Sequence, residues 1–336
     1  MSDQQRVILS LTLVVQTCTA ALTAEKAYEE SQHPLAILHR DLVSLLSLLY
    51  GAVTKVSLAL KPSKPTYSAA LAPLKDLSDH LSALFHCSRH FNDSHGATLR
   101  QEIDFLVKDA MEAIRALAQC FLDIESSGVR VGTGKAGDEY LVRTAASHNV
   151  LKRDISSTNL VAVQKRWKIY TSSLEDVYRE VGEMIENADA SEDPDDDLDD
   201  GWDELGLPKD EKLNPDELER TKKIYIMLRL LQALHKRILV ENVSKSEATL
   251  DALASTSSDL LRGCDDLVAT LYSPQDPAKI QKELTEFRSI ISRLQSSLNP
   301  LQVQLANLTM ESNDTKTGLN TPFALIYKAL DSVIQP

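Results

Sequence analysis

Turn-forming residues are scarce: 11 Gly and 12 Pro in 336 residues. A chain so poor in them does not divide into many short strands; it makes few, long elements. Cysteine is also rare. Cys18, Cys87, Cys120 and Cys264 are scattered through helical patterns, with no C-x-x-C and no paired spacing. This excludes a disulfide framework and fits a reducing compartment. Bases are outnumbered, 36 against 49 acids, for a net charge of −13. A general nucleic-acid binder needs clustered Lys and Arg to displace counterions, so no direct nucleic-acid contact is expected. No unbroken run reaches the roughly 20 apolar residues of a membrane span, and no membrane partner is expected. G-x-S-x-G is absent, and no Ser/His/Asp order points to nucleophilic catalysis.

What is present is ordinary globular material, 43% apolar and 25% charged. The length predicts two domains. The acid is concentrated: residues 189–204 carry ten acids and no base, and without them the net charge is about −3. Such a run repels itself, and with Pro194, Gly201, Gly206, Pro208 and Pro215 around it, it reads as a disordered linker.

On either side the apolar residues recur at helical spacing. Val7, Leu11, Val14, Cys18 and Ala21 share one face. That reading is preferred to a secretory leader at Val7–Val15, because Ser10 and Thr12 interrupt the run. The four N-x-S/T triplets, at Asn92, Asn242, Asn307 and Asn313, are short enough to occur by chance. Leu35, Leu38, Leu42, Leu45, Leu49, Ala52, Val56 and Leu60 form a second stripe, opened by Pro34 and closed by Pro62 and Pro65. Further stripes run through Tyr67–Phe91, Leu99–Ile124, Asp138–Val150 and Ser157–Asn187, the last carrying Trp167. Beyond the acidic run come Pro215–Ile238, Leu250–Leu271, Ile280–Leu298 and Pro322–Ile334. The expected fold is all-α: two antiparallel bundles of four to six long helices each, residues 1–188 and 213–336, joined by an acidic linker at 189–212.

Three motifs suggest chemistry. Gly132-Thr133-Gly134-Lys135-Ala136-Gly137 matches G-x-G-x-x-G but lacks the strand–turn–helix setting a dinucleotide site needs. As a phosphate loop it fails at Val129 and Ala136. Asp196-Asp197-Leu198-Asp199-Asp200 matches the DDxxD of all-α isoprenoid synthases, but it sits in the solvated acidic run. Counted from Asp195 as an EF-hand, Asp200 and Gly206 stand where Gly and Glu are required. His86 and His90 are four apart, a spacing that can hold a metal, but they lie off the apolar stripe, and Cys87 replaces a metalloprotease's glutamate. No catalytic, cofactor or metal residue is assigned. The candidate partner-binding residues are Trp202, Asp203, Glu204 and Leu205, because an indole and a leucine in a charged run need somewhere to dock. The protein's own bundle and a partner both remain open as that place.

The strongest distinctive stretch is Leu250-Asp251, Ser257, Asp265-Asp266-Leu267 and Leu271-Tyr272-Ser273-Pro274-Gln275-Asp276-Pro277. It is preceded by Lys236-Arg237-Ile238-Leu239-Val240-Glu241-Asn242. With Glu139-Tyr140-Leu141-Val142, Trp167 and Gly201-Trp202 in order, the chain resembles the cyclin-D-binding (Grap- and cyclin-D-interacting) family. The resemblance departs at Ala146-Ser147-His148-Asn149-Val150-Leu151, where it leads one to expect a Val-Trp pair and a Cys. The resemblance implies two all-helical domains and no catalytic residue; no cofactor is expected. It further implies a cytoplasmic and nuclear regulator that binds cyclin or helix-loop-helix proteins. The alternatives are a vinculin or α-catenin type of helical adaptor, and an all-α metal-dependent enzyme.

Overall fold

A computed structural model describes residues 1–25, 28–29, 33–127, 138–189, 212–241, 250–308 and 320–334. Among them are ten α-helices, one 3₁₀ turn and no strand. The chain divides into two compact units, Met1–Ala162 and Val163–Pro336.

The first unit holds α1 (Asp3–Thr23), α2 (Leu35–Ala59), α3 (Tyr67–Arg89), a 3₁₀ turn (Asp93–His95), α4 (Ala97–Ser127), α5 (Glu139–Leu151) and the first residues of α6 (Asn159–Asp189). A capping box starts α1: Gln5 N–H donates to Ser2 Oγ at 3.2 Å, and Ser2 N–H donates to Gln5 Oε1 at 3.0 Å. Its expected stripe is the buried one, with Val7, Leu11, Val14 and Cys18 in the core. Helix α1 packs between α3 and α4, α2 between α3 and α5, and α5 also against α4. Gln4 at the start of α1 donates to Glu125 near the end of α4, so that pair is antiparallel. Both α1 and α2 are long and apolar enough to cross a membrane by length and composition. Neither contains a long unbroken apolar run, because Ser and Thr interrupt the runs without lowering the average much. In this unit one face of each helix is core.

Gly96 ends the 3₁₀ turn at φ +96°, a region that only glycine enters without strain. A Cβ there would stand 2.0 Å from Asn159 Cγ. Asn159 uses that closeness: its Oδ1 accepts from Leu99 N–H at 2.9 Å, satisfying a donor in the first turn of α4.

The second unit holds the rest of α6 with α7 (Pro215–Glu241), α8 (Leu250–Val268), α9 (Pro277–Leu308) and α10 (Asn320–Ile334). Helix α8 lies along α9, and α10 packs on α7 and α9. The expected first bundle, 1–188, took in all of α6, whereas the units divide at Ala162/Val163. The reason is where the α6 stripe points. Trp167 Nε1 donates to the His235 carbonyl at 3.0 Å, Tyr178 stacks on Tyr225 at 4.4 Å, and Glu175 pairs with Lys236 at 2.6 Å. These bonds tie α6 along its length to α7. The expected linker, apart from its edges, lies outside the described residues.

Candidate functional site

Trp202, Asp203, Glu204 and Leu205 lie outside the described residues, as do Gly132–Gly137 and Asp196–Asp200. His86 and His90 are in the last turn and C-cap of α3. His86 is exposed beside Phe85; His90 is half-buried, 3.9 Å from Glu29. Cys87 Sγ faces the Leu38 carbonyl at 4.0 Å. Among the described residues no group of three or more His, Cys, Asp or Glu is placed to share an ion.

The second unit contains a buried polar constellation. His235 of α7 stacks on Trp167 at 4.2 Å, nearly parallel. Its Nδ1 lies 2.9 Å from Thr171 Oγ1 and its Nε2 lies 2.6 Å from Ser257 Oγ. The Thr171 hydroxyl already donates to the Trp167 carbonyl at 2.9 Å, so it accepts from His235 Nδ1–H. That leaves Nε2 as the acceptor for the Ser257 hydroxyl. A Ser–His pair with a third orienting hydroxyl resembles a nucleophile and its base. His235 and Ser257 are both 0% exposed, however, so no substrate reaches the hydroxyl. Burial pushes His235 down to about 3 and keeps it neutral. The periodicity of α7 carries the signal: position 235 follows Leu228 by seven and Leu231 by four, on the stripe itself.

A second constellation explains the most distinctive sequence stretch. Asn214 and Glu217 form a capping box at the start of α7, with bonds of 2.9 and 3.0 Å. The Glu217 carboxylate also accepts from Gln275 N–H at 2.8 Å and from Ser273 Oγ at 3.2 Å. Gln275 in turn donates to Thr221 Oγ1 and the Leu271 carbonyl, and accepts from Arg220 at 2.6 Å. Burial alone would push Glu217 up. The backbone donors of Gln275 and Asn214, with Ser273 and Arg220, outweigh it and hold the group below its ordinary range. The Leu271–Pro277 stretch thus wraps a buried carboxylate. The sequence marked Pro215 as the start of this helix but not the Asn214–Glu217 cap, nor the loop over 50 residues on that closes over it.

The first unit carries a cavity of about 360 Å³. It is lined by Ala21 and Leu22 at the end of α1, by Ala24, Glu25 and Tyr28 after it, by Phe85, Ser88 and Arg89 of α3, and by residues of α4 that include Asp104, Phe105 and Met111. Tyr28 donates to Asp104 Oδ2 at 2.7 Å, with the Arg100 guanidinium 4.8 Å over its ring. Glu29 N–H donates to the Arg89 carbonyl at 2.9 Å, and the Arg89 side chain pairs with Glu29. Tyr28 and its neighbour Glu29 are therefore tied to α4 and α3. Phe105, on the rim, is 61% exposed. No periodicity identifies this site, because it needs three helices to meet.

Two family models match the chain in order. The model described as Grap2 and cyclin-D-interacting, N-terminal, matches residues 41–187, and its C-terminal counterpart matches 198–298. The chain belongs to the Grap2 and cyclin-D-interacting protein family. Among individual curated proteins none matches the sequence.

The C-terminal match takes in both Glu217 and the loop that wraps it; α1 and α10 fall outside the matched spans. The departure at Ala146–Leu151 has a structural setting. Ser147, Val150 and Leu151 are buried, the His148 ring lies tilted against that of Tyr50 at 4.1 Å, and His148 Nε2 lies 3.0 Å from Thr54 Oγ1. Ser57 and Thr144 hydroxyls add a bond of 2.8 Å between α2 and α5. In this family member the stretch seals two helices together.

Proposed function

We propose that the protein is a non-enzymatic binder of regulatory proteins, with partners of the cyclin or helix-loop-helix type and a role in cell-cycle or transcriptional control. Membership of the Grap2 and cyclin-D-interacting family over both halves of the chain carries this reading. The all-helical architecture suits it, since amphipathic partner segments dock in grooves between helices. The segment Trp202-Asp203-Glu204-Leu205 is the proposed docking element: the indole supplies apolar area and the acids steer a basic partner surface. The working compartments are proposed to be the cytoplasm and the nucleus, without direct contact to nucleic acid or membrane.

Affinity capture from native extract with the full chain, compared with Trp202→Ala, tests this. The full chain should retain cyclin or helix-loop-helix proteins, and the variant should lose them by about 2 kcal/mol or more if the indole is a hot spot. Retention of metabolic enzymes alone, or of nothing, would count against the regulatory role. Equal capture by both chains would count against the segment.

A further inference from the structure

Helix α2 has two regular stripes, and the first unit buries only one of them. Leu38, Leu42, Leu49, Ala52 and Val56 are core. A second series, Ile37, Asp41, Ser44, Leu48, Gly51, Lys55 and Leu58, also steps by three and four and marks another face. Ile37, Leu48 and Leu58 are exposed, Leu58 by 72%. The helix is apolar enough to cross a membrane by composition, yet less than half of its most apolar stretch is buried. Leu141 of α5, one turn before the Thr144 that bonds to Ser57, is also exposed and widens the apolar surface at the Leu58 end. An apolar face of this length left to water marks an interaction surface.

The order of side chains along this face names its occupant. Read from either end it runs apolar, charged, small, Leu48, small, charged, apolar. Asp41 lies seven residues before Leu48, and Lys55 seven after it. A second copy laid antiparallel across Leu48 therefore brings Asp41 opposite the partner subunit's Lys55, twice over. A parallel pairing would set Asp41 on Asp41 and Lys55 on Lys55, which repel, so the charges select one orientation. Among the described residues no acid of the chain pairs with Lys55. Asp41 meets its neighbour Arg40 at 3.2 Å, an exposed pair that holds it weakly. Gly51 fits the same arrangement. Its φ is not positive, and an added Cβ would meet no atom within 4 Å, so its own chain does not require glycine there. Glycine weakens a helix interior, and the close approach of another backbone is a reason to keep it.

We propose that the exposed face of α2 pairs with the same face of a second copy, making an antiparallel, two-fold homodimer. Leu48 meets Leu48 at the axis, Asp41 and Lys55 form an ion pair on each side, and Ile37 lies opposite Leu58 at both ends. From Ile37 to Leu58 the contact runs about 32 Å of helix. Each copy presents the same patch, so assembly closes at two. The Trp202–Leu205 segment takes no part, and the pairing stands or falls apart from the regulator-binding reading.

Sedimentation equilibrium of the full chain over a range of concentrations tests this. The chain should pass from monomer to dimer as concentration rises. Leu48→Glu sets two carboxylates against each other at the axis and should weaken the dimer about tenfold or more. Asp41→Lys and Lys55→Asp should each weaken it about fivefold, because each turns two attractions into two repulsions. Mixed together, those two single variants restore both opposite-charge pairs and should form a heterodimer, read by native mass spectrometry. Leu9→Glu, at an exposed position of α1, should change nothing. All four positions are exposed, and unchanged helical circular dichroism confirms that the fold is intact. A chain that stays monomeric at its highest soluble concentration, or that only binds lipid vesicles, overturns the proposal. So does a dimer indifferent to Leu48→Glu, or a pair of charge variants that fail to join each other.

Discussion

The Ser257 hydroxyl lies 2.6 Å from His235 Nε2, on the far side of a ring whose Nδ1 lies 2.9 Å from Thr171 Oγ1. The nearest polar groups to the ring are therefore two hydroxyls, with the Trp167 indole stacked on its face. None of the three carries a charge, and burial away from water is what disfavours an imidazolium there. Four predictions follow from this pair and from the contacts around Glu217 and Gly96.

Acid should destabilise the protein before its carboxylates titrate. His235 is held at about 3 in the folded chain, against about 6.5 when unfolded. The unfolded state therefore takes up a proton first, and stability is lost as pH falls from about 6.5 toward 3. The loss at pH 5 is about 2 kcal/mol. His148 and His95, also lowered by burial, act in the same direction. Denaturant titrations at pH 7 and pH 5 measure the difference, and His235→Gln should remove most of it.

Ser257→Ala should cost about 1–3 kcal/mol, the penalty of leaving a buried acceptor without a donor. Thr171→Ala should cost a similar amount. Because both act on one ring, the double variant should lose less than the sum of the two. Denaturation of all four chains completes the cycle, and strict additivity would show that the two bonds are independent.

Glu217→Ala should be among the most destabilising single changes in the second unit. It removes the capping box and the acceptor for Gln275 and Ser273, at a cost of about 2–3 kcal/mol. The wild-type carboxyl is held low, so its contribution is present above the ordinary carboxylate pKa. It is lost as pH falls through the lowered one. Hydrogen exchange should report faster exchange at the Gln275 amide in the variant, while α4 amides stay protected.

Gly96→Ala should cost more than about 1 kcal/mol, since it forces a side chain into φ +96° and onto Asn159. Asn159→Ala should cost about 1 kcal/mol by taking the cap from Leu99 N–H. It should also relieve part of the Gly96→Ala clash, so the pair should be less harmful together than apart. Thermal melting of the three variants measures it.

Much of the architecture was legible because it is local. The stripe of α1 through Val7, Leu11, Val14 and Cys18 could be read at helical spacing, and those side chains are the buried ones. Pro34, Pro62, Pro65 and Pro215 marked helix ends, because proline lacks the N–H that a helix interior needs. Pro73 was the exception: it lies inside α3, tolerated where the surrounding packing holds the helix.

Tertiary structure alone decided which stripe meets which. Trp167 could be assigned to a core from its spacing, but nothing local says that it lies on His235, 68 residues away. For that reason α6 was expected with the first bundle, whereas its stripe closes against α7. The Ser273–Gln275 loop looked distinctive without a visible purpose, because its partner Glu217 is reached only when the chain folds back. The cavity beside Phe105 likewise exists only where α1, α3 and α4 converge. Helical periodicity is set by neighbours three and four residues apart; the choice of partner helix depends on long-range packing, which the stripe itself does not encode.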